Sequence, residues 1–355
     1  MLTERKKILY VVEAMGGGVF TYIVDLANAL VDTYDMYIAY AVRKQTPKNY
    51  RDYFDKRIKL VEVKNFCREI KPTKELAAVK EIKKIADEIK PDIIHLHSSK
   101  AGVIGRIAFN GVDVPLFYTP HGYSFLMKDA GVIKRGIYWG IEKVFANRNC
   151  TIISCSKGEY QESLKLTPNA TYVDNAINAE KLKERLKEVK EEEHPFTVFT
   201  LGRICYQKNP AQFNKIAEAM PNIKFMWIGD GDLRSELSAP NIEVTGWVDR
   251  ETALKKSINA DVFVLTSLWE GLPISLLEAM YMKKLCVVSN VIGNRDVIHN
   301  RKNGYVCNTV GEFVSAIKEN NLEYREQAYL DLMNHYDTQA QAKRYMEIYN
   351  KRLSQ

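Results

Sequence analysis

Apolar positions fall into short dense runs separated by amphipathic stretches. Residues 7–12, 36–42 and 92–97 each read as strands buried on both faces. Between them, glycines 16, 17 and 18 mark a turn, residues 19–30 repeat at helical spacing, and residues 75–90 form an amphipathic helix stopped by Pro91. The same alternation restarts after a charged segment at 180–194, with strands predicted at 196–201, 223–228, 242–245, 261–266 and 285–289. Repeated strand–helix units imply parallel sheets covered by helices, with ligands bound beyond the carboxyl ends of the strands. At 355 residues the chain exceeds what one core usually organises. Two α/β domains are therefore expected, 1–174 and 175–335, and the cleft between them is the default site.

Composition narrows this picture. No run of 18 uncharged apolar residues occurs, and the opening segment has too short an apolar stretch for a signal peptide, so a cytoplasmic protein is expected. The six cysteines are scattered without metal-ligand spacing and are read as reduced packing residues, and no metal site is expected. Of the net charge of +7, residues 1–175 carry all: 27 Lys+Arg against 20 Asp+Glu, with 24 against 24 in the remainder. That favours an anionic lipid surface or a phosphorylated ligand over nucleic acid, for which no recognisable module appears.

Chemistry is sought at the strand ends. Gly202 permits a tight exit from the 196–201 strand, and Arg203 and Lys208 put two cations on the following loop, suited to a diphosphate or else simply solvated. Asp230 and Asp232 with their glycines read as a turn with an aspartate N-cap before residues 233–237, not as a metal site. Glu270 and Glu278 flank Gly271, Leu272 and Pro273. Pro273 suits the first position of a helix whose N-terminal amides would offer an anion site, while the carboxylates suit pairs of hydroxyl donors. For an isolated pair of this kind, favourable interaction with the helix dipole would be the better explanation. His95 and His97 alternate with Leu96 and are expected on opposite faces, His95 structural and His97, with Ser98, Ser99 and Lys100 after it, towards an acceptor. Residues 127–148 mix Lys128, Lys134, Arg135, Lys143 and Arg148 with Tyr138 and Trp139, as a helix at a lipid interface or a core helix with a basic face does.

Taken in order, these motifs resemble a family. Glu270 and Glu278 match an E-x7-E signature, Gly202, Arg203, Lys208 and Asn209 match a G-R…K-N element, and Gly16 to Gly18 match a first glycine-rich loop. Together they resemble the retaining glycosyltransferases of family 4, of GT-B fold: two Rossmann-like doubly wound domains facing a central cleft. The resemblance implies that Arg203 and Lys208 bind the donor diphosphate, Glu270 the transferred sugar and Glu278 the ribose. It further implies that Gly271 and Leu272 amides touch sugar or phosphate, that Trp247 and Val248 line the base, and that Gly17 and Gly18 serve the donor from the first domain. Residues 118–123 resemble the family's T-x-H-G segment, which makes His121 the candidate beside the reacting carbon. Asn175 stands where the family has Asn-Gly-Ile/Val-Asp, with Ala176 for the glycine and Asn178 for the aspartate, so this stretch is the expected hinge. The C-terminal helix, about 336–355, is expected to return to the first domain. A metal-independent transfer from a UDP-sugar to a lipid-linked saccharide, peripherally on the inner membrane face and with no bound cofactor, is the implied activity. A nucleotide-sugar 2-epimerase of the same fold, or a non-catalytic partner subunit, are the alternatives.

Overall fold

The computed structural model describes residues 5–13, 15–43, 46–67 and 72–354. Residues 1–4 of the opening segment and Gln355 of the expected C-terminal helix lie outside them. The chain divides into one unit of Met1–Leu126, Ala130–Asn175 and Thr338–Gln355, and another of Ala176–Asp337 with Met127–Asp129.

The described part of the first unit holds a parallel sheet of β1 (Lys7–Val12), β2 (Asp35–Tyr40), β3 (Lys59–Glu62), β4 (Ile93–His97), β5 (Leu116–Thr119), β6 (Cys150–Ser154) and β7 (Ala170–Tyr172), in the order β3-β2-β1-β4-β5-β6-β7. Its helices are α1 (Gly17–Leu30), α2 (Pro72–Ile89), α3 (Ser99–Ala108), α4 (Val132–Ala146) and α5 (Lys157–Leu166). The second unit has a parallel sheet of β8 (Thr197–Leu201), β9 (Lys224–Ile228), β10 (Ile242–Val244), β11 (Val262–Leu265), β12 (Leu285–Ser289) and β13 (Tyr305–Cys307), in the order β10-β9-β8-β11-β12-β13. Its helices are α6 (Ala179–Leu186), α7 (Pro210–Glu218), α8 (Arg250–Ile258), α9 (Ile274–Tyr281), α10 (Asn294–Val297), α11 (Val310–Glu319) and α12 (Leu322–His335); the chain ends in α13 (Thr338–Leu353), part of the first unit.

The period of two along β1 explains why the first sheet carries helices on both faces. Ile8, Tyr10 and Val12 join one core with Leu26 of α1 and Tyr345 and Tyr349 of α13, while Leu9 and Val11 join another with Ile82 of α2 and Ile104 of α3. Helix α3 lies close on the sheet because Gly102 and Gly105 face it. A Cβ there would overlap the Tyr118 ring or the Leu96 side chain.

Several local expectations are corrected. The basic helix spans 132–146, shorter than 127–148, and only 179–186 of the charged segment is helical. The stretch after Asp232 makes only a 3-10 turn, Arg234–Glu236, whose capping position is Leu233; Asp230 bonds instead to Gly231 N at 2.8 Å. Pro273 is the residue before α9, with an extended ψ of 122°, so Ile274 takes the first helical position. His95 and His97 stand on the same face, as residues two apart on a strand must, with ring centroids 4.1 Å apart. All six cysteines are free.

Candidate active site

In the second sheet the strand order reverses between β8 and β11, so the loops leaving their carboxyl ends diverge around a crevice where ligands of doubly wound sheets bind. Those loops carry Arg203 and Lys208 after β8, and Glu270 after β11. They are stitched together: Thr266 Oγ1 donates to the carbonyls of Lys208 (2.8 Å) and Asn209 (3.2 Å), Leu268 N to that of Gln207 (2.8 Å), and Gln207 Nε2 to that of Trp269 (3.0 Å). The fixed loops bring Lys208 Nζ to 2.6 Å from Glu270 Oε1, a salt bridge with both side chains largely buried. Arg203 is half-buried on the same loop and has no hydrogen bond or ion pair among the described residues.

The β11 loop runs through the buried Gly271 and Leu272 into α9, whose N-terminus has no side-chain cap. Gly293, at φ +83°, packs so tightly beneath this loop that a Cβ would overlap the Gly271 carbonyl. Glu278, on the second turn of α9 and 4% exposed, is gripped by the guanidinium of Arg250: Nη1 donates to Oε2 at 3.0 Å and Nη2 to Oε1. Arg250 was not anticipated, and nothing local in the sequence signals it, since 28 residues separate the partners. Just before it, Val248 is half-buried and the Trp247 indole is 61% exposed.

The first unit collects its histidines at the ends of β4 and β5, beside its own reversal between β1 and β4. His121, in the left-handed region at φ +55°, packs edge-on to Tyr22 and places Nε2 at 3.2 Å from His97 Nδ1. Neutral rings suit this contact, one donating and the other accepting. His121 keeps a partly exposed edge yet is packed densely enough that burial pushes its pKa down to about 3. Burial, reinforced by the neighbouring histidines, also drives His97 well below the ordinary range. Nε2 of the buried His97 has no hydrogen-bond partner among the described residues. His95 is saturated, with Nδ1 at 2.6 Å from Tyr349 Oη and Nε2 at 2.9 Å from Thr119 Oγ1. The loop after His121 is held by Glu159, which accepts from Gly122 N at 2.6 Å and Cys155 N at 2.8 Å.

Other expected positions divide. Ser98, at φ +74°, precedes α3 and Ser99 opens it, but Lys100 is occupied by a salt bridge to Glu75 at 2.9 Å and a bond to the Cys67 carbonyl. Gly17, at φ +58°, and Gly18 open α1, and a Cβ on either would stand in open space. Asn178 caps α6 by accepting from Lys181 N, a structural use, and the division between units falls after Asn175. Among the described residues no three His, Cys, Asp or Glu side chains gather as a metal site would require.

Residues 16–181 match the family described as Glycosyltransferase Family 4, and residues 195–320 the one described as Glycosyl transferases group 1. A galactosyltransferase of Escherichia coli, UDP-Gal:alpha-D-GlcNAc-diphosphoundecaprenol alpha-1,3-galactosyltransferase, is 31% identical over 299 residues, 75% of this chain and 76% of its own. The chain belongs to glycosyltransferase family 4. Solved structures carry the same GT-B fold: sucrose-phosphate synthase of Thermosynechococcus elongatus superposes with a TM-score of 0.81 at 16% identity, covering 98% of this chain and 99% of that one. HepE of Anabaena, solved with UDP and glucose, superposes with a TM-score of 0.75 at 15% identity over 98% and 100%. As a family 4 glycosyltransferase, the chain has its expected signature carboxylates on and before one helix, but each already paired with a cation.

Proposed function

We propose that this glycosyltransferase moves a sugar from a UDP-sugar to a hydroxyl of a lipid-linked saccharide, without a metal ion and with retention at the anomeric carbon. The observation that carries the reading is the Lys208–Glu270 pair at the strand-order reversal, on a loop leading into an uncapped helix N-terminus. Lys208 donates one N–H to Glu270, leaving two for phosphate oxygens. Arg203 and the α9 amides add to the positive field. These groups would stabilise the negative charge that develops on the leaving diphosphate, while Glu270 accepts hydroxyls of the sugar. The C1–O bond to the diphosphate breaks, the acceptor oxygen bonds to C1 on the same face, and its proton passes to a phosphate oxygen of the departing UDP. His121, neutral at working pH, is assigned to the donor sugar, and His97 with Ser98 and Ser99 to the acceptor side. The E. coli relative, by its name, uses UDP-galactose and a diphosphoundecaprenol-linked acceptor, which supports both substrate classes.

The acceptor class also fits α4. Val132, Ile133, Ile137, Ile141 and Val144 are exposed along it with Trp139, and Lys128, Lys134 and Arg148 are exposed on or near it. Its single acidic residue, Glu142, is buried against Arg106. No described helix is long and apolar enough to cross a membrane, and we assign α4 to the surface of an anionic bilayer.

A screen of UDP-sugars for UDP release, with and without membrane lipid extract, tests the donor and acceptor together. NMR of the product's anomeric signal tests retention. Donor turnover to a 2-epimer without acceptor would overturn the reading in favour of an epimerase.

A further inference from the structure

Glu278 is one of the most enclosed carboxylates in the second unit, yet a Glu side chain alone is a poor receptor for two hydroxyls. Its terminal torsion is broad and roughly two-fold, so the carboxylate plane is not fixed by rotamer preference. Something must orient it. Arg250 bonds to both oxygens at once, one N–H to each, in the planar fork that this residue type alone provides. A carboxylate offers about four lone-pair sites, so the fork uses two and leaves two. Arg250 is itself anchored: it is the first residue of α8, whose start is fixed by Asp249 accepting from Thr252 N at 2.7 Å. It also follows Trp247 and Val248 closely in the chain, so one side chain ties the loop expected at the base to the carboxylate expected at the ribose.

We propose that Arg250 is a positioning residue for nucleotide binding, whose guanidinium fixes the Glu278 carboxylate so that its two remaining acceptor sites meet the vicinal hydroxyls of a ribose. This rests on the UDP-sugar reading above. The opposite arrangement, in which Arg250 blocks Glu278 and has to be displaced, predicts the opposite sign.

Calorimetry on the full chain with UDP and with 2′,3′-dideoxy-UDP separates them. Arg250→Gln is expected to weaken UDP by about tenfold or more, the worth of one charge-assisted contact, while changing dideoxy-UDP affinity little. Arg250→Lys, which keeps the charge without the fork, is expected to remain weakened. Because Arg250→Gln leaves a buried carboxylate alone, the double variant Arg250→Gln/Glu278→Gln, which removes both charges, serves as the folded control; it is expected to have lost discrimination between the two ligands. Tighter UDP binding by Arg250→Gln, full recovery by Arg250→Lys, or equal losses for both ligands would each overturn the proposal. If Glu278→Gln also leaves UDP binding unchanged, the reading of the site itself fails; if Glu278→Gln weakens UDP and Arg250→Gln does not, only the role of Arg250 fails.

Discussion

The side chains that His95, His97 and His121 touch, Tyr22, Tyr349 and Thr119 among them, are uncharged, whereas Glu270 and Glu278 are each buried in an ion pair. The first arrangement strings Tyr349, His95 and Thr119 into hydrogen bonds, sets Tyr22 Oη 2.6 Å from Tyr345 Oη, and leaves the histidines neutral because burial disfavours their protonated forms. The second keeps formal charges in place and offsets each with a partner. A neutral surface suits the sugar and the reacting carbon, where a fixed cation would oppose developing positive charge. A charged one suits a diphosphate.

The largest expected effect comes from a pair that looks like the others but lies away from either constellation. Arg106 and Glu142 join α3 to α4 at 2.7 Å with both side chains nearly inaccessible, Tyr118 Oη also donates to Glu142, and the Tyr118 ring lies 4.2 Å from the guanidinium carbon. Glu142→Ala should cost about 3–5 kcal/mol, because a buried charge loses its partner. Urea unfolding measures it. Lys208 and Arg250 keep more solvent access, so removing Glu270 or Glu278 should cost clearly less. Equal losses would erase the distinction between structural and functional pairs.

Next come the site carboxylates. Glu278→Gln should weaken UDP itself, and Glu270→Gln should leave UDP affinity nearly intact while slowing transfer. Each change is about 1.5–3 kcal/mol, roughly tenfold to more than a hundredfold. Titration with uridine, UDP and UDP-sugar distinguishes the two, and identical profiles for both variants would mean that the carboxylates do not divide sugar from ribose.

How much of this was readable beforehand depends on the range of the signal. β1, β4, β8, β11 and β12 announce themselves as apolar runs because both faces are covered. β3, β7 and β13 are sheet edges of three or four residues, each with at least one partly exposed position, and β5 and β6, interior strands no shorter than β11 and β12, were not anticipated. Glu270, Glu278, Lys208 and His121 were legible as residues, since spacing within a loop or helix is local. Their partners were not. Lys208 meets Glu270 across 62 positions, Glu278 meets Arg250 across 28, and His121 meets His97 across 24, through strand order that no local pattern encodes. Lys100 likewise meets a partner that no local pattern announces, Glu75, 25 positions away at 2.9 Å.

Acid should expose the neutral cluster. His95, His97 and His121 bind protons more weakly when folded than the ordinary value of about 6.5. Their contribution is therefore complete above that pH. As pH falls below it the unfolded chain takes up protons that the folded chain refuses, and stability drops by up to about 1.4 kcal/mol per pH unit for each ring. For His121 the decline levels off near pH 3. Unfolding by urea at pH 7.5, 6.5 and 5.5 should show this slope, and His121→Asn, a residue that tolerates the left-handed backbone, should reduce it by one ring's share. An unchanged slope would mean that His121 is protonated in the folded protein and that the neutral picture of this region is wrong.

The smallest effect separates the two units by surface rather than by site. Of the three cations on α4, Arg135 is committed to the fold through Nε and the Phe125 carbonyl at 2.9 Å and Lys143 through Nζ and the Leu166 carbonyl at 2.7 Å, so reversing either would confound packing with charge. Lys134 is exposed and near the Tyr138 ring, at 5.7 Å. Lys134→Gln should weaken binding to anionic liposomes by about 1 kcal/mol, roughly fivefold, with no change in UDP affinity and no more than about 0.5 kcal/mol in stability. Raised salt should reproduce the loss in the parent protein, since an exposed charge is screened within about 10 Å at 0.1 M. Ile137→Glu tests the apolar half of the same contact, for Ile137 is 56% exposed and its replacement removes no core packing. If liposome binding survives both substitutions, α4 is simply an exposed helix, and the basic excess of the first unit belongs to its ligand and not to a membrane.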